Sequence, residues 1–124
     1  MISKPTFVVN KEICKNNIQK MVDKCAKNHL IFRPHFKTHQ SKIVASFFKD
    51  AGITKITVSS VSMAEYFAND GWNDITIAFP VNILELTSID ILAAKIQLNL
   101  VFESPESLAY ISTNVKNTVG AFLK

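Results

Sequence analysis

Apolar residues alternate along the whole chain between a two-residue period and a helical period, and this alternation restricts the fold more than any single motif. The strand periods fall near Phe7 to Val9, Leu30 to His35, Ile56 to Ser60, Ile75 to Phe79, Leu98 to Phe102 and Val119 to Leu123. Helix signals lie between them. Ile43, Val44, Phe47, Phe48 and Ala51 make one apolar face closed by Gly52; Ser62 with Glu65, and Asn82 with Glu85, are spaced like capping pairs; Ser104-Pro105 marks a further helix start. A repeated βα unit of this kind implies a parallel sheet, either an open doubly wound sheet or part of an eight-stranded barrel.

The strand faces favour the barrel. In a doubly wound sheet the central strands are apolar on both faces. Here Ile56 and Val58, Ile75 and Ile77, and Leu98 and Leu100 form one face, while Thr57 and Ser59, Thr76 and Ala78, and Asn99 form a small, polar other face, as in the lining of a barrel. The expected fold is therefore α/β, a partial (β/α)8 barrel of about five βα units plus a sixth strand. Because the last strand, Val119 to Leu123, stops inside a repeat, residues 1–124 are expected to be the N-terminal portion of a longer barrel of roughly 250 residues. Such a portion would carry an open, aggregation-prone edge.

Composition narrows the function classes. With 48% hydrophobic and 19% charged residues the chain is expected to fold rather than stay disordered. No uncharged apolar run nears the roughly 18 residues of a membrane helix, and the N-terminus has no apolar signal core, so no membrane partner and a cytoplasmic location are expected. Residues 1–62 hold 11 basic and 3 acidic side chains, residues 63–124 hold 3 and 7. That asymmetry could serve a nucleic acid, but thirteen of the fourteen bases are Lys, and Lys11, Lys15, Lys20, Lys24 and Lys27 lie opposite the stripe Cys14, Ile18, Met21, Val22, Cys25, as on a solvated helix. No nucleic-acid partner is expected. Cys14 and Cys25 would lie about 16 Å apart along that helix, too far for a disulfide, and read as buried thiols.

One cluster carries chemistry. Around Arg33-Pro34-His35-Phe36-Lys37-Thr38-His39, strand alternation would put Arg33, His35 and Lys37 on the inner face at a strand's C-terminal end, where barrels place their reactive groups. Stacked cations disfavour one another's charged form, which would leave Lys37 a usable amine for imine formation. The competing reading is that Lys37 and His39 open a surface loop and Arg33 pairs with an unseen carboxylate. Pro34 cannot donate to a ladder and predicts an irregular strand there. His35 and His39 are spaced like two metal-binding histidines of a helix, but Pro34 opposes a helix and Phe36 stands where the zinc-protease pattern needs Glu, so no metal site is expected from this chain. The isolated glycines Gly52, Gly71 and Gly120 offer no phosphate-cradling loop, and no nucleophile elbow is present.

The run Arg33 to His39 resembles the signature of the D-threonine aldolase and D-serine dehydratase-like family, pyridoxal-phosphate enzymes with an alanine-racemase-type barrel. Lys4 to Asn10, Ile56 to Glu65 and Asp74 to Val81 resemble the flanking blocks of that family in order and spacing. The resemblance covers this chain but only the first third of a family member, without its C-terminal β domain. It implies that Lys37 is the catalytic residue and carries the cofactor on its amine, with Arg33, His35, Thr38 and His39 as further cofactor-binding residues. It also implies a lyase acting on a D-β-hydroxy amino acid, foremost a low-specificity D-threonine aldolase giving glycine and acetaldehyde. D-serine dehydratase and racemase activities are the alternatives, as is an inactive fragment or a non-catalytic α/β domain. A divalent metal, phosphate loops and the ring-nitrogen partner would come from residues outside this chain, a homodimer is implied, and the 124 residues alone are expected to be inactive.

Overall fold

The computed structural model describes residues 3–6 and 8–124. After the helix α1 (Lys11–Lys27) come α2 (Lys42–Asp50), β1 (Lys55–Val58), α3 (Val61–Ala68), β2 (Asp74–Pro80), α4 (Leu86–Ala93), β3 (Gln97–Phe102), α5 (Pro105–Asn114) and β4 (Gly120–Leu123). Single 3-10 turns occupy Phe36–Thr38 and Ile83–Glu85. The four strands form one parallel sheet in the order β1-β2-β3-β4. Sequential order, parallel pairing and intervening helices make this a segment of an α/β barrel wall rather than a doubly wound sheet, whose order would reverse.

Among the described residues the six expected strands reduce to four regular ones. Leu30 to His35 contributes one bridge, His35 to Thr57, because Pro34 has no N–H to give; its carbonyl accepts from the Thr57 N–H at 2.8 Å and pairing stops there. Of the expected strand at Phe7 to Val9, Phe7 lies outside the described residues, and Val8 and Val9 join no ladder among the described residues. No described helix is long and apolar enough to cross a membrane.

The two faces divide as the alternation predicts. Ile56, Val58, Ile75, Ile77, Leu98 and Leu100 are buried with Ala64, Phe67, Ile89, Leu92 and Ile111 of the helices, and Phe36 and Trp72 complete this core. The other face carries Thr57, Thr76 and Asn99 in one register row that ends at Gly120. A β-carbon at position 120 would overlap Asn99 Oδ1, so that amide needs glycine beside it. Gly120→Ala is therefore expected to push Asn99 aside and cost about 1–3 kcal/mol in urea unfolding, the usual cost of overpacking; an unchanged midpoint would show the row to be yielding.

Helix ends follow ordinary capping, with one shift from expectation. Ser60, not Ser62, caps α3 by accepting the Met63 N–H at 3.1 Å, while Ser62 stands 3.1 Å from the Ser60 hydroxyl. Asn82 accepts the Leu84 N–H and donates to Glu85, and Ser104 caps α5 ahead of Pro105 as expected. Cys14 and Cys25 are unpaired and only half-buried on α1, whose single fully buried side chain is Ile18.

Candidate active site

The signature segment turns sharply just after its bridge. Phe36–Thr38 forms a 3-10 turn, closed by hydrogen bonds from the His39 and Gln40 N–H groups to the Phe36 carbonyl at 3.4 and 3.0 Å. Gln40 sits at φ +44, a left-handed conformation that a non-glycine residue adopts at a cost, before Ser41 caps α2. What holds the turn down is Phe36, fully buried with its ring centroid 5.0–5.2 Å from those of Phe48, Phe67 and Trp72.

Because the chain leaves strand geometry at His35, two-residue alternation no longer applies beyond it. The stack of three cations does not form. Lys37 stands exposed on the turn at the C-terminal end of the sheet, and its Nζ makes no hydrogen bond or ion pair among the described residues. Arg33 lies at the opposite, N-terminal end. Its guanidinium donates to Asp74 Oδ1 at 2.7 Å, Lys55 Nζ meets Asp74 Oδ2 at 2.7 Å, and Asn99 Nδ2 donates to Oδ1 at 3.1 Å. Burial alone would raise the Asp74 pKa, but the hydrogen bonds and charges of Arg33 and Lys55 outweigh it and hold the carboxyl below the usual range. Arg33 thus has the carboxylate partner of the competing reading, and it does not share a cleft with Lys37.

The remaining signature residues line two cavities, with His35 between them and lining both. His35 and Lys37 line a cleft of about 710 Å³ with Ser59, Ser60, Asn82 and Glu85. Phe79 also faces it. There the β2–β3 register slips, pairing Ile77 with Leu100 but Pro80 with Val101, so Ala78 and Phe79 bulge from the ladder. Thr38 and His39 instead line a groove between α1 and α2. His39 stacks on Phe48 at 5.7 Å, its Nδ1 lies 3.3 Å from the Thr38 hydroxyl, and its Nε2 is buried without a partner. Burial lowers its pKa, which keeps the ring neutral. Thr38 and His39 therefore support the turn from the side away from the Lys37 cleft.

His35 differs. Its Nδ1 accepts the Lys37 backbone N–H at 3.2 Å, and burial, followed by the Lys37 charge, lowers its pKa. The cleft thus combines an unpaired primary amine, a neutral imidazole and serine hydroxyls over an apolar base of Ile77 and Leu100, a set suited to amine attack on a carbonyl. Asn82, Glu85 and the bulge were not legible as site features, since their placement depends on a register slip that only the pairing with β3 reveals. Among the described residues no three His, Cys, Asp or Glu side chains gather as metal ligands.

No protein-family model matches the chain. Over 74 residues it is 35% identical to the D-threo-3-hydroxyaspartate dehydratase of Delftia sp. (strain HT23), a match spanning 60% of this chain and 20% of that protein. The solved structure of the Delftia sp. HT23 dehydratase superposes with a TM-score of 0.91 at 25% identity, over 98% of this chain and 33% of that one. A D-threonine aldolase from Filomicrobium marinum gives 0.90 at 19% identity over 98% and 34%, and an alanine-racemase-like protein from Idiomarina loihiensis gives 0.73 at 19% over 90% and 30%. The chain spans about a third of the length of these solved structures. These likenesses bear out the resemblance read from residues 33–39 and the partial barrel of alanine-racemase type.

Proposed function

We propose that this chain forms the lysine-bearing segment of a pyridoxal-phosphate-dependent lyase acting on D-β-hydroxy amino acids. The observation that carries the reading is Lys37, an unpaired amine on a turn at the C-terminal end of a parallel barrel sheet, beside a neutral imidazole. The residues present suit the cofactor: Lys37 would hold its aldehyde carbon, while His35 Nε2, the hydroxyls of Ser59 and Ser60 and the Asn82 amide supply hydrogen-bonding groups at the cleft. When bound, the cofactor supplies an electron sink for bond cleavage at the substrate's Cα.

The chain's own groups then have separate tasks. Lys37 Nζ would be the nucleophile that holds the cofactor and, as a free amine, the base that takes and returns a proton. Val61, Ile77 and Phe79, the last carried outward by the bulge, give the cleft that Lys37 lines its apolar part. Arg33, Thr38 and His39 act only through the placement of strand and turn. Within this class, the 35% match to a dehydratase favours loss of the β-hydroxyl, giving a keto acid and ammonia, over the aldol cleavage expected from the signature.

The test is pyridoxal phosphate followed by borohydride and peptide mapping. One label at Lys37, lost in Lys37→Ala while the melting temperature holds, is the expected result. Labels spread over Lys11, Lys20, Lys24 and Lys27, unchanged by that substitution, would sink the reading.

A further inference from the structure

The first N–H groups of a helical turn have no partner within it and need a cap. Here the cap is a histidine: His35 Nδ1 accepts the Lys37 N–H at 3.2 Å, while the His35 backbone makes the last bridge of its strand, to Thr57. A nitrogen that accepts a hydrogen bond carries no proton, so the imidazole is neutral with its proton on Nε2. Among the described residues Nε2 makes no hydrogen bond, and His35 lines both the cleft that Lys37 lines and the groove between α1 and α2. An aspartate cap would set a carboxylate two residues from Lys37 and draw its ammonium into an ion pair. An imidazole caps the same N–H without charge.

We propose that His35 is the positioning residue of this site: Nδ1 pins the turn that carries Lys37, and the tautomer this enforces presents Nε2–H as a fixed donor to an oxygen acceptor bound in the cleft. The proposal rests on the reading of Lys37 as the residue that takes pyridoxal phosphate. Burial and the Lys37 charge disfavour a charged imidazole, while Glu85 is the acidic group of the cleft that would favour one. Lys37 follows on its own segment, Glu85 lies on the cleft wall contributed by the turn before α4, and Arg33, two residues earlier, is engaged by Asp74.

Two substitutions separate the functions of the ring. Asparagine places its Oδ1 where Nδ1 stands and can still cap; glutamine reaches the Nε2 position but offers nothing at Nδ1. Borohydride-trapped labelling of Lys37 by pyridoxal phosphate is expected to keep its rate within about twofold in His35→Asn and to slow roughly fivefold in His35→Gln, the factor one hydrogen bond is worth. Nitrogen NMR of the unsubstituted chain is expected to show Nδ1 unprotonated and Nε2 protonated, with Nε2 alone moving when pyridoxal phosphate is added. A proton on Nδ1, or His35→Gln labelling as fast as the unsubstituted chain, would overturn the proposal. If Lys37 takes no label at all, the functional reading fails, and the NMR tautomer still decides whether His35 is the cap.

Discussion

Phe36→Ala is expected to destabilise the chain by about 3–5 kcal/mol, the range for deleting a fully buried aromatic ring. Phe36 is 0% exposed and its ring contacts four aromatic neighbours, with centroids 4.6 Å from His39 and 5.0–5.2 Å from Phe48, Phe67 and Trp72. Those neighbours come from the signature turn, α2, α3 and the loop before β2, so one cavity would loosen four segments. Against a typical total of about 5–15 kcal/mol, much of the stability would go. The loss should reach the site as well. With its anchor removed, the turn has only the hydrogen bonds of His35, His39 and Gln40 to keep a left-handed Gln40 in place, so Lys37 labelling should fall with the melting temperature. Phe36→Leu, which retains most of the volume, should recover most of both. Urea unfolding beside borohydride labelling checks this, and a melting point unchanged in the alanine variant would mean that the aromatic cluster does not anchor the turn.

The same residue shows where sequence reading succeeds and where it stops. Alternation within a strand is a local property, so the inner and outer faces of β1, β2 and β3 were legible, as was the irregularity at Pro34, which follows from a missing N–H. Alternation also placed Arg33 and His35 on one face. It could not show that strand geometry ends one residue before Phe36, because the turn is imposed from outside by Phe48, Phe67 and Trp72 packing on that ring. Lys37 consequently leaves the inner row while remaining at the C-terminal end where barrels react. The Arg33 partner was legible only as a type, a carboxylate, because Asp74 is 41 residues away and parallel register decides which acidic residue arrives. Ser60 rather than Ser62 caps α3 for a related reason: the helix starts where the strand releases the chain, and either serine would serve by chemistry alone.

Asp74→Ala is expected to cost about 3 kcal/mol, and part of that cost should be lost in acid. The carboxylate holds Arg33 on one oxygen and Lys55 on the other, each at 2.7 Å, and takes a third hydrogen bond from Asn99. Deleting it leaves a partly buried guanidinium without a counter-charge beside Thr76, whose own hydroxyl is buried and unpaired. Breaking a buried pair on one side costs about 3–5 kcal/mol; the lower end applies because the Lys55 side chain is 36% exposed and its ammonium can turn to water. The melting temperature should fall by on the order of 10 °C. The folded Asp74 pKa lies below its ordinary value, so the unfolded chain binds the proton more readily. Its contribution is therefore fully present above the unfolded carboxylate value of about 3.9 and is lost as pH falls through the lower folded value. Urea unfolding of the parent and Asp74→Ala should differ by the full amount at pH 7, and the difference should begin to shrink as pH falls below about 4. A difference that persists undiminished at low pH would show that the loss came from packing, and that Arg33 does not depend on the Asp74 charge.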